Sequence, residues 1–511
     1  MSSSTYPIHK RIGLWLGVAL FALVMVLPNS EGLTTEGRRV AAVSLLMGVW
    51  WITESIPIPA TSLAPLALFP LLGIMDGKDL ASSYGDSNIF LFAGGFFIAM
   101  AMQKWSLHER IALRILYRTG TNPHRLVLGF MIATASISLW ISNTATAMMM
   151  LPIGTAVIDQ MRRRDESKEV DNFGVTVMLG IAFAASIGGV GTLVGTPPNI
   201  VFVGTLSKLY PEAPKVGFGQ WMTFGIPVVA LLIPISWLLL TRVQFPLKAA
   251  GDSTAGRDAI AKRLNELGPM SRGELVVLIV WILTALSWIF REDLKLGLFT
   301  VPGWSRVLSH PGFANDGTVA VAFALLLFFI PVDRKRGVYA LDWDWAQRIP
   351  WGVLLLFGGG FAIAKGFNDT GLIQWLGGHL NVLQGASPLT MLLVVAVTVT
   401  FMSEFASNTA LTAIMLPVLA VTASSTLSIN PLLLMIPATF SASLAFMMPA
   451  GTPPNALVYG TGHVTIPQMA RAGLVLNFLS IVITVAIAYF IIIPVMGISP
   501  GELPIWAKPT Q

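Results

Sequence analysis

Long stretches of this chain contain no Asp, Glu, Lys or Arg, and they restrict it to a membrane. A helix needs about 20 mostly apolar residues to cross the hydrocarbon core of a bilayer. Strands of a transmembrane β-barrel would instead alternate every second residue over about ten residues, a pattern these stretches lack. The sequence therefore predicts an all-α polytopic membrane protein. The charge-free windows include 12–28, 40–53, 55–75, 87–103, 126–158, 173–207, 216–241, 275–290, 317–332, 349–364, 370–403, 405–470 and 472–501.

The composition points to the same class. Hydrophobic residues make up 54% of the chain and charged residues 11%, whereas soluble domains carry about a quarter charged residues. The absence of cysteine excludes disulfides and thiolate chemistry, and the six histidines are not clustered at metal-ligand spacing. We interpret the net charge of +6 as a consequence of loop topology and expect no nucleic-acid partner.

Loop charges predict the topology, because cytoplasmic loops are enriched in Lys and Arg. Segment 366–388 has neither residue and is expected outside. Window 126–158 lies between two basic segments, so it is predicted to enter and leave on one side as a re-entrant hairpin. A cytoplasmic N-terminus, eleven crossings, two hairpins and an external C-terminus satisfy these assignments. The basic segments, predicted to be cytoplasmic, are 104–125, 162–168, 245–272 and 333–348.

The chain contains an internal repeat. Gly94-Gly95-Phe96, Ser142-Asn143-Thr144 and Met150-Leu151-Pro152 recur 265 residues later as Gly359-Gly360-Phe361, Ser407-Asn408-Thr409 and Met415-Leu416-Pro417. The word GTPPN occurs at 195–199 and again at 451–455, an offset of 256. Segment 104–125 is basic but its counterpart 366–388 is not, which indicates opposite orientations in the membrane. Inverted repeats are typical of secondary transporters, which bind their substrate near the bilayer midplane where the repeats meet.

The predicted organisation follows from this repeat. Residues 1–38 form an N-terminal tail and the first transmembrane helix, and residues 245–272 form a cytoplasmic linker. The first inverted repeat spans 39–244 with its hairpin at about 126–160, and the second spans 273–500 with its hairpin at about 389–424.

The two SNT words fall near the middle of the predicted hairpins, and therefore near their tips. Helix ends there leave N–H and C=O groups unpaired, and Ser, Asn and Thr side chains cap such ends. Positive helix N-termini attract anions, whereas exposed carbonyl oxygens suit Na+. Ser138 and Ser403 precede Ser142 and Ser407 by four residues, on the same helix face, and each adds a hydroxyl. A single SNT in a membrane helix more often stabilises packing between helices.

The two GTPPN words are predicted to break their helices. Pro197, Pro198, Pro453 and Pro454 lack N–H groups and clash with preceding carbonyls, so carbonyls one turn upstream are expected to lose their partners and face an ion. A single Pro-Pro pair is usually a structural kink. Two copies of each word, in register across an inverted repeat, favour a paired ion and substrate site.

Two charged residues predicted to lie inside the membrane have no assigned role. Glu404 lies three residues before the second SNT, but its counterpart in the first repeat is Leu139. An acid inside a membrane is a functional candidate by default. We expect Glu404 to pack or orient the hairpin rather than couple ions directly, and the role of Lys365 stays open.

Several stretches resemble the divalent anion/sodium symporter (DASS) family, which imports di- and tricarboxylates or sulfate. The resemblance covers roughly residues 12–500 and implies homodimers in the cell (inner) membrane. Each protomer would have eleven transmembrane helices and two hairpins, interleaved scaffold and transport domains, and an elevator motion. The matching stretches are WWITESIPIPATSLAPLALFPLLGI (50–74), SNTATAMMMLPI (142–153), GTPPNI (195–200), FGGGFAIAKGF (357–367), ASNTALTAIMLPV (406–418) and GTPPNA (451–456).

The resemblance also implies site residues. The first sodium site would use Ser138, Ser142, Asn143 and the Gly195 backbone. The second would use Ser403, Ala406, Asn408 and the Gly451 backbone. The substrate carboxylates would meet Asn143, Thr144, Thr196 and Pro197 from one half, and Asn408, Thr409, Thr452 and Pro453 from the other.

These residues lead to a functional prediction: Na+-coupled symport of divalent anions, in particular the C4-dicarboxylates succinate, fumarate and malate. Both Ser-x-x-x-SNT patterns are intact, which favours coupling to Na+, and both SNT and TPPN words are unmodified, which favours C4-dicarboxylates. The alternatives are a sulfate or citrate symporter and a sodium-independent dicarboxylate exchanger. An enzyme is disfavoured, because no Cys exists and no His or Asp lies beside the repeated words.

Overall fold

The computed structural model describes residues 7–28, 30–120, 122–162, 168–247, 254–295, 300–372, 375 and 385–508. These residues are mainly helical. Two small antiparallel ribbons lie in the connecting segments: β1 (Leu294–Lys295) pairs with β2 (Thr300–Val301), and β3 (Pro331–Asp333) pairs with β4 (Val338–Tyr339).

The helices of the first half run to the middle of the chain, and a π-helical turn, Leu239–Gln244, extends the last of them. They are α1 (Ile8–Val26), α2 (Thr35–Thr53), α3 (Ile58–Thr61), α4 (Ala64–Leu71), α5 (Gly77–Tyr84), α6 (Ser87–Lys104), α7 (Leu107–Thr119), α8 (Pro123–Ser138), α9 (Asn143–Arg162), α10 (Lys168–Val190), α11 (Pro197–Leu209) and α12 (Phe218–Leu238).

The second half begins with a helix in the predicted linker and ends with a long helix near the C-terminus. π-Helical turns follow two of these helices, at Thr422–Thr426 and Ala488–Ile492. The helices are α13 (Thr254–Glu266), α14 (Arg272–Ile289), α15 (Asp316–Phe329), α16 (Trp343–Ala346), α17 (Trp351–Asp369), α18 (Pro388–Ser403), α19 (Asn408–Val421), α20 (Leu432–Ser443), α21 (Pro453–Gly460), α22 (Ile466–Ile487) and α23 (Ile493–Val495).

Within the described residues, eight helical stretches are long and apolar enough to cross a bilayer. The prediction of an all-α polytopic membrane protein is thereby confirmed, and the number of eleven crossings stays a prediction. The most apolar window of Val170–Val190 is completely buried, whereas only 11% of the window in Ile8–Val26 is. Helix α10 is therefore the centre of the molecule, and α1 lies at its periphery.

Polar contacts collect at two opposite ends of the helices. At the Lys104 end of α6, Lys104 pairs with Asp342 at 2.7 Å, which joins two of the basic segments. At the other end, Asp86 precedes α6 and pairs with Lys208 of α11 at 2.9 Å. The predicted cytoplasmic segments 104–125 and 333–348 thus share one end of the molecule.

The buried ion pair of Arg110 and Glu274 lies at the same end as Lys104. It joins α7 to α14, with 2.5 Å between Nε and Oε1, and both side chains are 4% exposed. Arg110 also donates to the carbonyl of Gly268, at 2.8 Å. The predicted linker 245–272 is therefore attached to the basic end, although its residues 248–253 lie outside the described part of the chain.

The two repeats interlock around two helical hairpins. Hairpin 1 is α8 and α9, joined by residues 139–142, and hairpin 2 is α18 and α19, joined by residues 404–407. Helix α11 packs against α19, and α21 packs against α9. The helix that follows each GTPPN word thus contacts the hairpin of the other repeat, which brings the two halves of the predicted site to the same region of the fold.

Candidate functional site: two half-sites at the hairpin tips

In the first half, the amide of Asn143 faces a group of oxygen atoms. Its Oδ1 lies 2.8 Å from Ser138 Oγ, which also donates to the carbonyl of Ala185 at 2.7 Å. With the amide rotated by 180°, its nitrogen would donate to Ser138 Oγ at 2.8 Å and to the carbonyls of Ala185 and Gly195 at 3.0 and 3.3 Å. With the amide oxygen turned inward, four oxygens converge from three places: Ser138 and Asn143 of hairpin 1, Ala185 of α10, and Gly195 of the non-helical segment that follows α10. This donor set suits Na+.

Glycines allow this close approach of backbone and side chain. A Cβ on Gly189 would lie 2.2 Å from Asn143 Oδ1, and a Cβ on Gly195 would lie 2.4 Å from the carbonyl oxygen of Gly189. One on Gly188 would meet the carbonyl oxygen of Ala135 at 2.5 Å. These separations are too short for any side chain, so the oxygen group exists only because glycine occupies these positions.

In the second half, Asn408 is the equivalent side chain. Its Oδ1 is buried and has no hydrogen-bond partner among the described residues. The hydroxyl of Ser403 donates to the carbonyl of Thr400 at 2.7 Å. Ser403, Ala406 and Gly451, the other residues predicted for the second sodium site, are buried. A buried oxygen without a partner is costly, and a bound cation would remove that cost.

The sequence suggested that the prolines interrupt a helix, but in the structure they do not. Helix α10 ends at Val190, residues 191–196 are non-helical, and Pro197 and Pro198 occupy the first turn of α11. A missing N–H costs nothing there, because the first N–H groups of a helix have no intrahelical partner. The helix break precedes the prolines, and the prolines start the next helix.

The expectation that upstream carbonyls are left unpaired is wrong for most of them. The amide nitrogen of Asn199 donates to the carbonyls of Thr192, Gly189 and Val190, at 2.7, 3.1 and 3.4 Å. The side chain thus replaces the helical N–H donors that the break removes. The carbonyl of Gly195 is different, because it faces Asn143 of hairpin 1.

The second GTPPN repeats this arrangement. The amide nitrogen of Asn455 donates to the carbonyls of Met448 and Ala445, at 3.1 and 3.4 Å. Sequence reasoning missed Asn199 and Asn455, although both complete the repeated word. It also missed Ala185, which contributes only a backbone carbonyl and leaves no signal in the sequence.

Exposure separates two groups of predicted site residues. Partly or largely exposed are Ser142, Asn143, Thr144, Pro197, Ser407, Asn408, Thr409 and Pro453. Thr196 and Thr452, which were expected to face the anion, are only 3% and 2% exposed. The Thr452 hydroxyl accepts from the backbone N–H of Asn455 at 3.4 Å and caps α21. A contact between these threonines and an anion stays a prediction.

Four helices begin at the repeated words. Helices α9 and α19 start at Asn143 and Asn408, and α11 and α21 start at Pro197 and Pro453. Each N-terminus carries about half a positive charge from the aligned peptide dipoles. The predicted substrate residues therefore all lie in or beside first helical turns, whose positive dipole end favours an anion.

The two charged residues without an assigned role differ in position. Lys365 of α17 is partly exposed and pairs with Asp369 one turn later, at 2.8 Å, so its charge is already balanced. Glu404 is 1% exposed and lies at the tip of hairpin 2.

The family of the chain follows from a comparison with known proteins. The model of the sodium:sulfate symporter transmembrane region matches residues 9–498. The chain belongs to this family. The resemblance to divalent anion/sodium symporters is thus confirmed, and the chain is a multi-pass membrane transporter and not an enzyme.

Relatives within the family are similar over nearly their whole length. The sodium-dependent dicarboxylate transporter SdcS of Staphylococcus saprophyticus is 42% identical over 506 residues, which cover 97% of this chain and 94% of the relative. SdcS of Staphylococcus aureus strain RF122 is 41% identical over 500 residues, which cover 96% and 93%.

Two solved structures share the fold at low sequence identity. The Alcanivorax borkumensis YdaH transporter superposes with a TM-score of 0.55 at 15% identity, covering 96% of this chain and 99% of that one. Neisseria gonorrhoeae MtrF, from a class of antimetabolite efflux pumps, superposes with a TM-score of 0.56 at 12% identity and covers 95% of both chains. These likenesses support the fold alone.

Proposed function

We propose that this protein is a secondary active transporter that carries divalent anions, chiefly C4-dicarboxylates such as succinate, fumarate and malate, together with Na+. The family and the names of its sodium-dependent dicarboxylate relatives support the class of substrate and the coupling ion. The observation that carries the proposal is the group of oxygens from Ser138, Asn143, Ala185 and Gly195, which suits a small cation when the Asn143 amide oxygen faces inward.

Sodium would bind once in each repeat. The first ion would be held by the Ser138 hydroxyl, the Asn143 amide oxygen and the carbonyls of Ala185 and Gly195, with Ser142 at the tip. The second would use the equivalent Ser403, Ala406, Asn408 and Gly451, and the buried, unpartnered Oδ1 of Asn408 supports it. Neutral oxygens suit this role, because they do not cancel the positive charge of the bound Na+. That charge then attracts the anion.

The dianion would bind between the two tips. Its carboxylates would meet the first turns of four helices, at Asn143, Thr144, Thr196 and Pro197 of one half and Asn408, Thr409, Thr452 and Pro453 of the other. Four helix N-termini and two sodium ions supply the positive charge that a Lys or Arg clamp would supply elsewhere. The anion site is then incomplete without sodium, which is the physical basis of coupling.

An elevator motion would expose this site alternately to the two sides. We assign hairpins 1 and 2, α10–α11 and α20–α21 to the moving body, and α1, α2, α6, α14 and α15 to the scaffold. We further propose a homodimer in the inner membrane, with a cytoplasmic N-terminus and an external C-terminus. The joining of three basic segments at one end of the molecule supports that orientation.

The test is uptake of radiolabelled succinate into proteoliposomes. The purified protein should import succinate when an inward Na+ gradient is applied and not when K+ replaces Na+, and Asn143→Ala or Asn408→Ala should abolish uptake. Full-rate uptake without Na+ would show a sodium-independent exchanger instead.

Sulfate is the second candidate substrate, because the family description names it. Competition separates the two: excess fumarate or malate should suppress succinate uptake, while excess sulfate and citrate should not. Suppression of succinate uptake by sulfate at the same concentration as succinate would favour the sulfate symporter.

A further inference from the structure

The carboxylate of Glu404 connects the tip of hairpin 2 with residues 446–448 and with helix α22. Its Oε1 accepts from the backbone N–H groups of Phe446 and Met447, at 2.8 and 3.0 Å, and from the amide of Asn477 on α22, at 2.7 Å. Its Oε2 accepts from Met447 and Met448, at 3.1 and 3.0 Å. A carboxylate offers about four lone-pair sites, and these five contacts fill them.

The need for this acceptor arises from an asymmetry between the repeats. Helix α10 continues to Val190, but in the second repeat α20 ends at Ser443, before the equivalent position Phe446. The earlier end leaves the backbone N–H groups of 446–448, which are buried at Phe446 and partly buried at Met447 and Met448, without helical partners, and this is costly unless an acceptor is supplied. Glu404 supplies it. In the first repeat, Val190 is still helical and the N–H of Gly191 donates to the carbonyl of Gly188 at 3.0 Å, and Leu139 stands in place of the glutamate.

Glu404 also lies against the predicted second sodium site. It directly follows Ser403 and is three residues before Ser407 of the SNT word. A Cβ on Gly451 would lie 2.9 Å from Glu404 Oε2, so the carboxylate touches the backbone expected to hold the ion. In the first half, by contrast, the tip is fixed by the hydroxyl of Thr192, which donates to the backbone carbonyl of Leu139.

We propose that Glu404 is a positioning residue for the second sodium site. Its carboxylate fixes segment 444–452 against the tip of hairpin 2 and against α22, and the ion is bound by the neutral oxygens that this arrangement aligns. Because its lone pairs are occupied by N–H donors, Glu404 does not itself coordinate Na+. The two sodium sites are therefore unequal, and only the second depends on a carboxylate. This inference rests on the proposed sodium symport.

The substitution Glu404→Gln separates this role from simple packing. Glutamine has nearly the same shape, but its NH2 group would face backbone N–H groups or the amide of Asn477, so donors would oppose donors. Segment 444–452 should shift away from the tip. The half-saturating Na+ concentration should then rise on the order of tenfold, which corresponds to the loss of one charge-assisted hydrogen bond.

The experiment measures sodium binding without substrate. Full-length protein in detergent is heated in increasing NaCl, with KCl keeping the ionic strength constant, and the stabilising effect of Na+ gives its half-saturating concentration. We expect Glu404→Gln to raise that concentration about tenfold, and we expect succinate affinity at saturating Na+ to stay within about twofold of wild type. A structural defect alone would lower stability equally in NaCl and KCl.

Two further variants complete the design. Leu139→Met, at the equivalent position of the first repeat, should leave the sodium curve unchanged. Asn477→Leu removes one of the five hydrogen bonds and should shift the sodium curve in the same direction as Glu404→Gln, but less. If Glu404→Gln does not fold, Asn477→Leu decides the question.

The outcomes distinguish the inference from the function on which it rests. If Na+ does not stabilise the wild-type protein more than K+, the proposed symport is wrong. If wild type responds to Na+ and Glu404→Gln responds at the same concentration, the positioning role is wrong while the symport stands. If Glu404→Gln cannot be purified, Asn477→Leu is the deciding variant. The positioning role is then wrong if Asn477→Leu has the same half-saturating Na+ concentration as wild type.

Discussion

The side chains of Ser138 and Asn143 meet across the tip of hairpin 1, with 2.8 Å between Ser138 Oγ and Asn143 Oδ1. Ser138 is the last residue of α8 and Asn143 the first of α9, so the contact joins two helix ends of opposite polarity. The carbonyls of Ala185 and Gly195 complete the group. One small region thus presents oxygens to a cation and a helix N-terminus to an anion.

Removal of the hydroxyl should weaken sodium binding selectively. Ser138→Ala deletes one of the proposed ligands, so the half-saturating Na+ concentration for succinate uptake should rise on the order of tenfold. Uptake at saturating Na+ should be largely retained. Ser136→Ala, on the same helix, is the matched control and should behave as wild type; an equal shift in both variants would show a general defect of α8.

A methyl group at Gly189 should disable the first half-site. The new Cβ would lie 2.2 Å from Asn143 Oδ1, so the amide must leave the oxygen group. We expect Gly189→Ala to lose sodium-dependent uptake in proteoliposomes while still being inserted in the membrane. Gly460→Ala is the control, because a Cβ there meets nothing within 4 Å. Wild-type uptake by Gly189→Ala would argue against this position for the Asn143 side chain.

Loss of the asparagine in either GTPPN word should lower stability, and more so in the first word. Asn199 donates to three carbonyls, the shortest bond being 2.7 Å, whereas Asn455 donates to two, at 3.1 and 3.4 Å. A buried carbonyl left without a partner costs about 1–3 kcal/mol. Thermal unfolding in KCl should therefore show a larger decrease for Asn199→Ala than for Asn455→Ala. The reverse order would contradict the capping role.

The proposed elevator motion requires α11 to move relative to α6. Asp86, just before α6, pairs with Lys208 of α11 at 2.9 Å, so this ion pair would join the scaffold to the moving body. The chain has no cysteine, so Asp86→Cys and Lys208→Cys can be combined without other changes. A thiol-specific cross-linker should then stop succinate uptake if α11 moves.

The control for this cross-link is the pair of Lys104 and Asp342, which lie 2.7 Å apart. Lys104 ends α6 of the scaffold, and Asp342 precedes α16, which is not among the helices assigned to the moving body. Cross-linked Lys104→Cys/Asp342→Cys should keep its uptake. Undiminished uptake by the cross-linked Asp86→Cys/Lys208→Cys protein would exclude a motion between these helices.

Much of the candidate site follows from the sequence because it is encoded by local chemistry in duplicate. The SNT words mark the points where α9 and α19 begin, since Ser and Asn stabilise helix N-termini. The GTPPN words mark a break in both repeats, because two consecutive prolines remove two N–H donors and fit best in the first turn of a helix. The sequence interpretation placed the break at the prolines, although the preference of proline for the first helical position indicates a break before them.

The sequence by itself determined that this is an all-α membrane protein with a duplicated polar site, because long apolar runs and a constant repeat offset are properties of the order of residues alone. Only the tertiary structure decided which atoms complete that site. Ala185 lies 42 residues beyond Asn143 and contributes a carbonyl, and Glu404 finds its N–H partners about as far away, at 446–448. Backbone groups are the same in every residue, so their use as ligands or donors depends on where the fold ends each helix.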